Sequence, residues 1–437
     1  MNHPYAQRIY ALLGICGAGA MVAATVMAAA ANQKPGAGFV LVMCLLFWAG
    51  GTCLMRRCFS DILHWAAASV ILYLCLCLRV ILFDNMSPDY VSFLSLWTDT
   101  MRGMTIKEAL TTPIGDYNMP YLYLLLIISR LPFHDLYCIK LISVLADMFC
   151  ALAILRLAMM VTKKDLVRVC VLTAALAVPT AFLNGAYWGQ CDSVYAAFAL
   201  WGLVLALNKH PLWSLALFAL GFSFKLQTVF LLPVILFLLT TGHIGFAHLP
   251  VFPAVFLGAS LPALLAGRSS SDTFSIYLSQ TEAYPYMSLN APSFWILIPN
   301  DYYESMAPAP VLLAGIAVVL LLFIFLRYTD RMELSDLIPL ALIFSLCVPW
   351  LLPKMHERYF YLAEMLCLVY AAKYPRRLWV ALAIQIGGFL SYRNYLYGGV
   401  LVIRNEHMAL VYGFVLLYLI LSTYRELENR PVPRLIT

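Results

Sequence analysis

Three short polar segments carry the residues of this chain that could do chemistry: DYVSFLSLW (89–97), NGAYWGQCDSVY (184–195) and PKMHERYF (353–360). Each stands at the mouth of a long apolar run. A carboxylate or guanidinium beside lipid costs several kcal/mol unless it is paired or faces water, so such groups read first as functional. In a water-poor cleft Asp89 could accept a proton from a sugar hydroxyl. It could equally cap an interfacial helix, and Asp84 and Asp99 are nearby rivals. The third segment packs Lys354, His356, Glu357 and Arg358 into five positions. Lys and Arg beside His can neutralise a phosphate or pyrophosphate, Arg in bidentate fashion, with Glu357 orienting Arg358. A zinc HExxH pattern is absent, because His356-Glu357 is followed by Arg-Tyr-Phe.

Other candidates are weaker singly. Lys225 and Arg79 could add positive charge for a phosphate, or could snorkel to the interface as lone basic residues near helix ends do. Asp116 and Tyr117, in a turn built on Gly115 and Pro120, precede Tyr121 and Tyr123; such rings stack on sugar faces but also form the ordinary interfacial belt. Gln190 and Asp192 could hydrogen-bond hydroxyls or hold a loop, and Trp188 offers a flat apolar surface beside them. Tyr90 and Trp97, in the same segment as Asp89, are substrate-binding candidates, and Glu357 joins them. Lys140 and Asp147, two turns apart on one helix face, read as a structural polar stripe that pairs with neighbouring helices.

The elements that must position these residues are membrane helices. Of the 437 residues 63% are hydrophobic and 11% charged, with a mean hydropathy of +0.84, more apolar surface than one soluble core can hide. The expected fold is all-α and polytopic, with about 12 to 14 transmembrane helices. The first apolar run, after Arg8, is long enough to span and reads as a retained helix rather than a signal peptide. The net charge of +6 sits in short loops, which speaks for membrane orientation and against nucleic-acid binding. The 12 cysteines lack metal-ligand spacing and read as packing residues.

Basic loops set the orientation. Arg56 and Arg57, then Lys163, Lys164 and Arg168, Arg327 and Arg331, Lys373, Arg376 and Arg377, and Arg425, Arg430 and Arg434 are expected in the cytoplasm. This holds only if residues 212–240 form a hairpin with Lys225 at its apex and residues 120–131 lie in the interface. Asp89, the WGQCD turn, Lys225 and the MHERYF segment then converge on the outer face, together with outer loops 84–134 and 267–309. The expected organisation is two N-terminal transmembrane helices (1–61), a catalytic transmembrane module (62–372), and C-terminal helices with a cytoplasmic tail (373–437).

At six ordered segments the chain resembles the integral-membrane glycosyltransferases of the GT-C superfamily, especially bacterial and archaeal proteins grouped with the eukaryotic GPI mannosyltransferases. These are DYVSFLSLW, GDYNMPYLYLL, IKLISVLAD, PTAFLNGAYWGQCDSVYAAF, SFKLQTVFLLP and LPKMHERYFYLAE, spread over about residues 62–372. The second departs from the more familiar DYPP form, reading DYNMP with Asn118 and Met119. The resemblance implies transfer of a hexose, mannose being the best guess, from a polyprenyl-phosphate carrier to an acceptor hydroxyl on the extracytoplasmic side, usually with inversion. It implies Asp89 as general base, and His356 and Arg358, with Lys225 and Arg79 more weakly, at the donor phosphate. The acceptor would be a glycan, lipid or protein, the membrane a bacterial plasma membrane, and no cofactor or divalent metal is expected. A transporter or flippase of a lipid-linked sugar would use similar residues but calls for paired broken helices in matching halves. A non-catalytic scaffold would tolerate loss of Asp89.

Overall fold

The computed structural model describes residues 4–282, 284–306, 308–398 and 403–431; Arg434 of the basic tail and residues 283 and 307 of the second outer loop lie outside the described residues. Among the described residues the only strands are Ser288–Leu289 and Met355–His356, which pair in parallel with Leu289 opposite His356. Everything else regular is helical. Among the described residues nine helices are long and apolar enough to cross a bilayer, and Met119–Ile128, Asp192–Leu207, Pro211–Phe224 and Leu226–Thr240 add shorter apolar segments. The chain is an all-α polytopic membrane protein.

The helix Asp135–Val161 is the centre of the bundle, buried along nearly its whole length against Ala37–Met55, Asp165–Ala177, Asp192–Leu207 and Tyr361–Lys373. Its polar stripe is structural, as expected from the sequence. Lys140 Nζ donates to the carbonyls of Leu82 and Phe83 at 3.0 Å and of Asn85 at 2.6 Å, fastening the turn that follows helix Ile62–Ile81. Asp147 pairs with Arg79 at 3.0 Å and accepts from the Tyr361 hydroxyl at 2.9 Å.

Successive helices alternate between two ends of the bundle. At one end Asp165 binds Arg168 and the Ser60 backbone, and Asp336 binds Lys373 and Arg430. The other end holds the loops after residues 81, 188, 224 and 351. Residues 212–240 form the hairpin that the basic loops require. Pro211–Phe224 packs along Asp192–Leu207, the backbone turns extended at Lys225 (φ −155°, ψ 135°), and a 3₁₀ stretch, Leu226–Leu231, leads into Leu232–Thr240 with Pro233 in its first turn. Thr241 and His243 thereby return to the basic end, beside Thr329 and Glu333.

Candidate active site

The helix bearing Asp89 starts on Ser87-Pro88. The Ser87 hydroxyl accepts the Tyr90 N–H at 3.1 Å, and the Asp89 side chain caps nothing. This removes the capping reading of Asp89 and leaves its carboxylate available at the bundle end. The residues after it wind as a π-helix, Tyr90–Leu94, before regular helix resumes at Ser95–Gly103. Phe93 and Trp97, four and eight positions on, line the same cavity as Asp89.

The WGQCD segment also closes with a π-helical turn. Residues Phe182–Trp188 end at Gly189, whose φ of +84° only glycine adopts without strain. Asn184 and Gly185 sit inside this helical end. Asn184 donates to Asp192 at 2.8 Å, and a Cβ on Gly185 would lie 3.0 Å from Ser143 Cβ. The turn delivers Trp188 and Gln190 to Asp89: the indole N–H donates to Asp89 Oδ2 at 3.0 Å, and the Gln190 amide donates to the same oxygen.

One cavity of about 500 Å³ gathers these groups with the cations. Its lining includes Asp89, Trp97, Asp116, Tyr117 and Gln190 together with Lys225, Lys354, His356 and Arg358. Gly115 makes a close approach to Trp97 possible: its φ is +70°, and a Cβ there would lie 2.9 Å from the Trp97 ring. Tyr117 meets that ring edge-on at 6.1 Å and its hydroxyl donates to Gln190 Oε1 at 3.5 Å.

Two buried carboxylates hold the cations. Asp192, 0% exposed at the start of its helix, pairs with Lys225 Nζ and lies 3.4 Å from Arg358 Nε. Glu357, also 0% exposed, pairs with Arg358 at 3.1 Å. Both were expected to meet substrate; neither lines the cavity, and their geometry is that of counter-ions beneath it. Lys225 and Arg358 further lie over the Tyr359 ring, each at 5.5 Å. Burial pushes the His356 imidazole below its ordinary value near 6.5, with Arg358 acting in the same direction, so it presents a neutral ring.

Two other expected site residues stand apart. Arg79 is locked by Asp147, by the Leu176 carbonyl at 2.8 Å and by the Phe182 ring at 4.0 Å, so it serves the bundle and does not line the cavity. Tyr90 is buried, its hydroxyl 2.6 Å from Asp135. Trp188 lies behind the lining, touching Asp89 with its N–H. The rivals are also accounted for: Asp84 binds Tyr137 and Lys34, and Asp99 binds Arg102.

Several lining residues escaped sequence reasoning. Tyr277, Ser279, Tyr284 and Leu289 come from loop 267–309, which the short parallel pairing fastens to His356. Gln227 follows the hairpin apex. Tyr395 comes from helix Leu378–Tyr397 in the C-terminal part, where no motif was placed, and stacks on Trp188 at 5.0 Å. The run SYRNYLY (391–397), polar and aromatic at a helix end, was the available signal.

Comparison with curated proteins finds no match to the chain. The model of glycosyltransferase family 87 matches residues 117–353, just over half of the sequence, beginning after Asp89 and ending before His356. The matched part contributes Tyr117, Gln190 and Lys225 to the cavity and supplies Trp188 and Asp192 behind it. Helices that thread a bilayer, a polar cavity at one end of them and this match agree: the chain belongs to glycosyltransferase family 87 and is a multi-pass membrane glycosyltransferase.

Proposed function

We propose that this protein transfers a hexose, mannose as the first candidate, from a polyprenyl-phosphate donor to an acceptor hydroxyl, with inversion and with Asp89 as general base. One observation carries the reading: a carboxylate that caps nothing and a group of cations backed by buried counter-ions line the same cavity. The acceptor O–H gives its proton to Asp89 as its oxygen attacks the anomeric carbon. The bond from that carbon to the phosphate oxygen breaks, and the departing phosphate charge rests on Arg358, Lys225 and Lys354. A phosphate is a good leaving group, so the protein's work is to position one base and stabilise one anion. Trp97, Asp116 and Tyr117 would hold sugar on the base side, a flat ring and polar groups suiting an apolar sugar face and its hydroxyls.

The basic loops at the opposite end of the bundle favour a cavity that opens away from the cytoplasm. A bacterial plasma membrane suits the carrier lipid. The test is incubation of purified protein with a panel of radiolabelled polyprenyl-phosphate sugars and candidate glycan, lipid and protein acceptors. Label transfer or donor hydrolysis is expected with one donor. No turnover of any polyprenyl-phosphate sugar, with turnover of nucleotide sugars, would overturn the reading.

A further inference from the structure

We propose that Trp188 and Gln190 are positioning residues: they hold one oxygen of Asp89 so that the other receives the acceptor's proton at a set distance from the cationic wall. The proposal rests on the reading of Asp89 as base. Both N–H donors converge on Oδ2, the indole at 3.0 Å and the amide beside it, whereas Oδ1 accepts no hydrogen bond from the described residues. An ionised carboxylate offers about four lone-pair sites, so tying one oxygen with two neutral donors selects the other for proton transfer.

The donors are themselves held. The Gln190 carbonyl oxygen accepts from the Tyr117 hydroxyl at 3.5 Å, and the opposite amide orientation would set that oxygen against the Asp89 carboxylate. The backbone carrying them is tied at three carbonyls, two before Gly189 and one after it. Asn85 donates to Tyr187 O at 3.0 Å, Ser87 to Trp188 O at 2.6 Å and Ser143 to Gln190 O at 2.6 Å. Asn85 and Ser87 belong to the segment that leads into Asp89, so base and donors share one rigid frame.

Trp188 also reaches the other half of the site. Tyr395 stacks on its ring at 5.0 Å with planes 25° apart, and Arg358 Cζ lies 5.0 Å from the ring centroid. A single buried indole thus touches the base through its N–H and the cation through its π-face. Its rigidity sets the gap into which the anomeric carbon and its two flanking oxygens must fit.

The experiment compares Trp188→Phe, Gln190→Leu and Asp89→Asn in the full chain. The first keeps a ring for Tyr395 and Arg358 but deletes the N–H; the second deletes the amide at similar volume. Each loses a hydrogen bond to a charged group, so kcat should fall about 10- to 100-fold, with donor KM and directly measured donor Kd within about twofold, the level of scatter for a site left intact. Donor Kd also certifies a folded site; should Trp188→Phe not fold, Gln190→Leu carries the test. A loss confined to donor KM would make these substrate contacts and overturn the proposal, as would an unchanged kcat. If Asp89→Asn is inactive while both other variants match the wild type, only this proposal fails. If Asp89→Asn turns over normally, the base assignment itself fails.

Discussion

Replacing Asp192 by Asn tests whether its carboxylate serves as a counter-ion or as a substrate contact. The change keeps size and one carbonyl oxygen but removes the charge shared by Lys225 and Arg358. Asp192 is fully buried, with Asn184 as a third partner at 2.8 Å. Breaking a buried ion pair from one side leaves uncompensated charge and costs about 3–5 kcal/mol. Two features bring the expected loss toward the lower figure: Glu357 still faces Arg358 at 3.1 Å, and Lys225 borders the cavity, where water can solvate it. A loss of about 3 kcal/mol is therefore expected, read by denaturant or thermal unfolding in detergent. An anion in the cavity replaces the missing charge, so donor should stabilise Asp192→Asn more than the wild type. At a donor concentration of 100 times the wild-type Kd the wild type gains about 2.7 kcal/mol, and a variant that binds donor more tightly gains more at that same concentration. The double variant Asp192→Asn with Lys225→Met should regain part of the loss, because a double-mutant cycle isolates the coupling of paired groups. Unchanged stability, with turnover lost through acceptor KM alone, would refute the counter-ion assignment and return Asp192 to the substrate.

The remaining predictions concern the cations and the solvent conditions. Arg358→Ala should weaken donor binding about 10- to 100-fold, the range for a hydrogen bond to a charged group, and leave acceptor affinity nearly unchanged; equal donor affinity by calorimetry would count against its phosphate role. Because the folded state holds His356 below its ordinary value near 6.5, the unfolded chain takes up a proton first as pH falls. Its contribution is complete above that pH and is lost as pH drops from there toward the folded value; His356→Gln should flatten this part of the stability–pH curve, and an identical slope would refute the assignment. Chelation with EDTA should leave transfer intact, since the proposed mechanism puts the phosphate charge on Lys and Arg; complete, metal-reversible loss would make Asp84 and Asp89 ligand candidates.

Much of the architecture was legible because burial of apolar residues is a local, additive property of the chain. The hairpin at Lys225 followed from loop charges, since a single span there would have put later arginines on the wrong side. The structural role of Lys140 and Asp147 followed from helical spacing alone. What escaped were pairings across long sequence separations. Arg79 looked like one more cation near a helix end, and only its Asp147 and Leu176 partners withdraw it from the cavity. Tyr277 and Tyr395 are ordinary interfacial tyrosines until the fold brings them to Asp89 and Arg358.

From the sequence by itself, hydropathy and basic loops determined an all-helical membrane protein, and three polar segments supplied residues that line one cavity. Those signals suffice because bilayer insertion acts on each segment separately. The tertiary structure decided how roles divide among the charged residues. Asp89, Asp192 and Glu357 are equivalent as letters, but one borders the cavity and two lie buried under cations. Depth and partner distance distinguish an accessible carboxylate from a buried counter-ion, and both are set by helix packing between residues far apart in the chain.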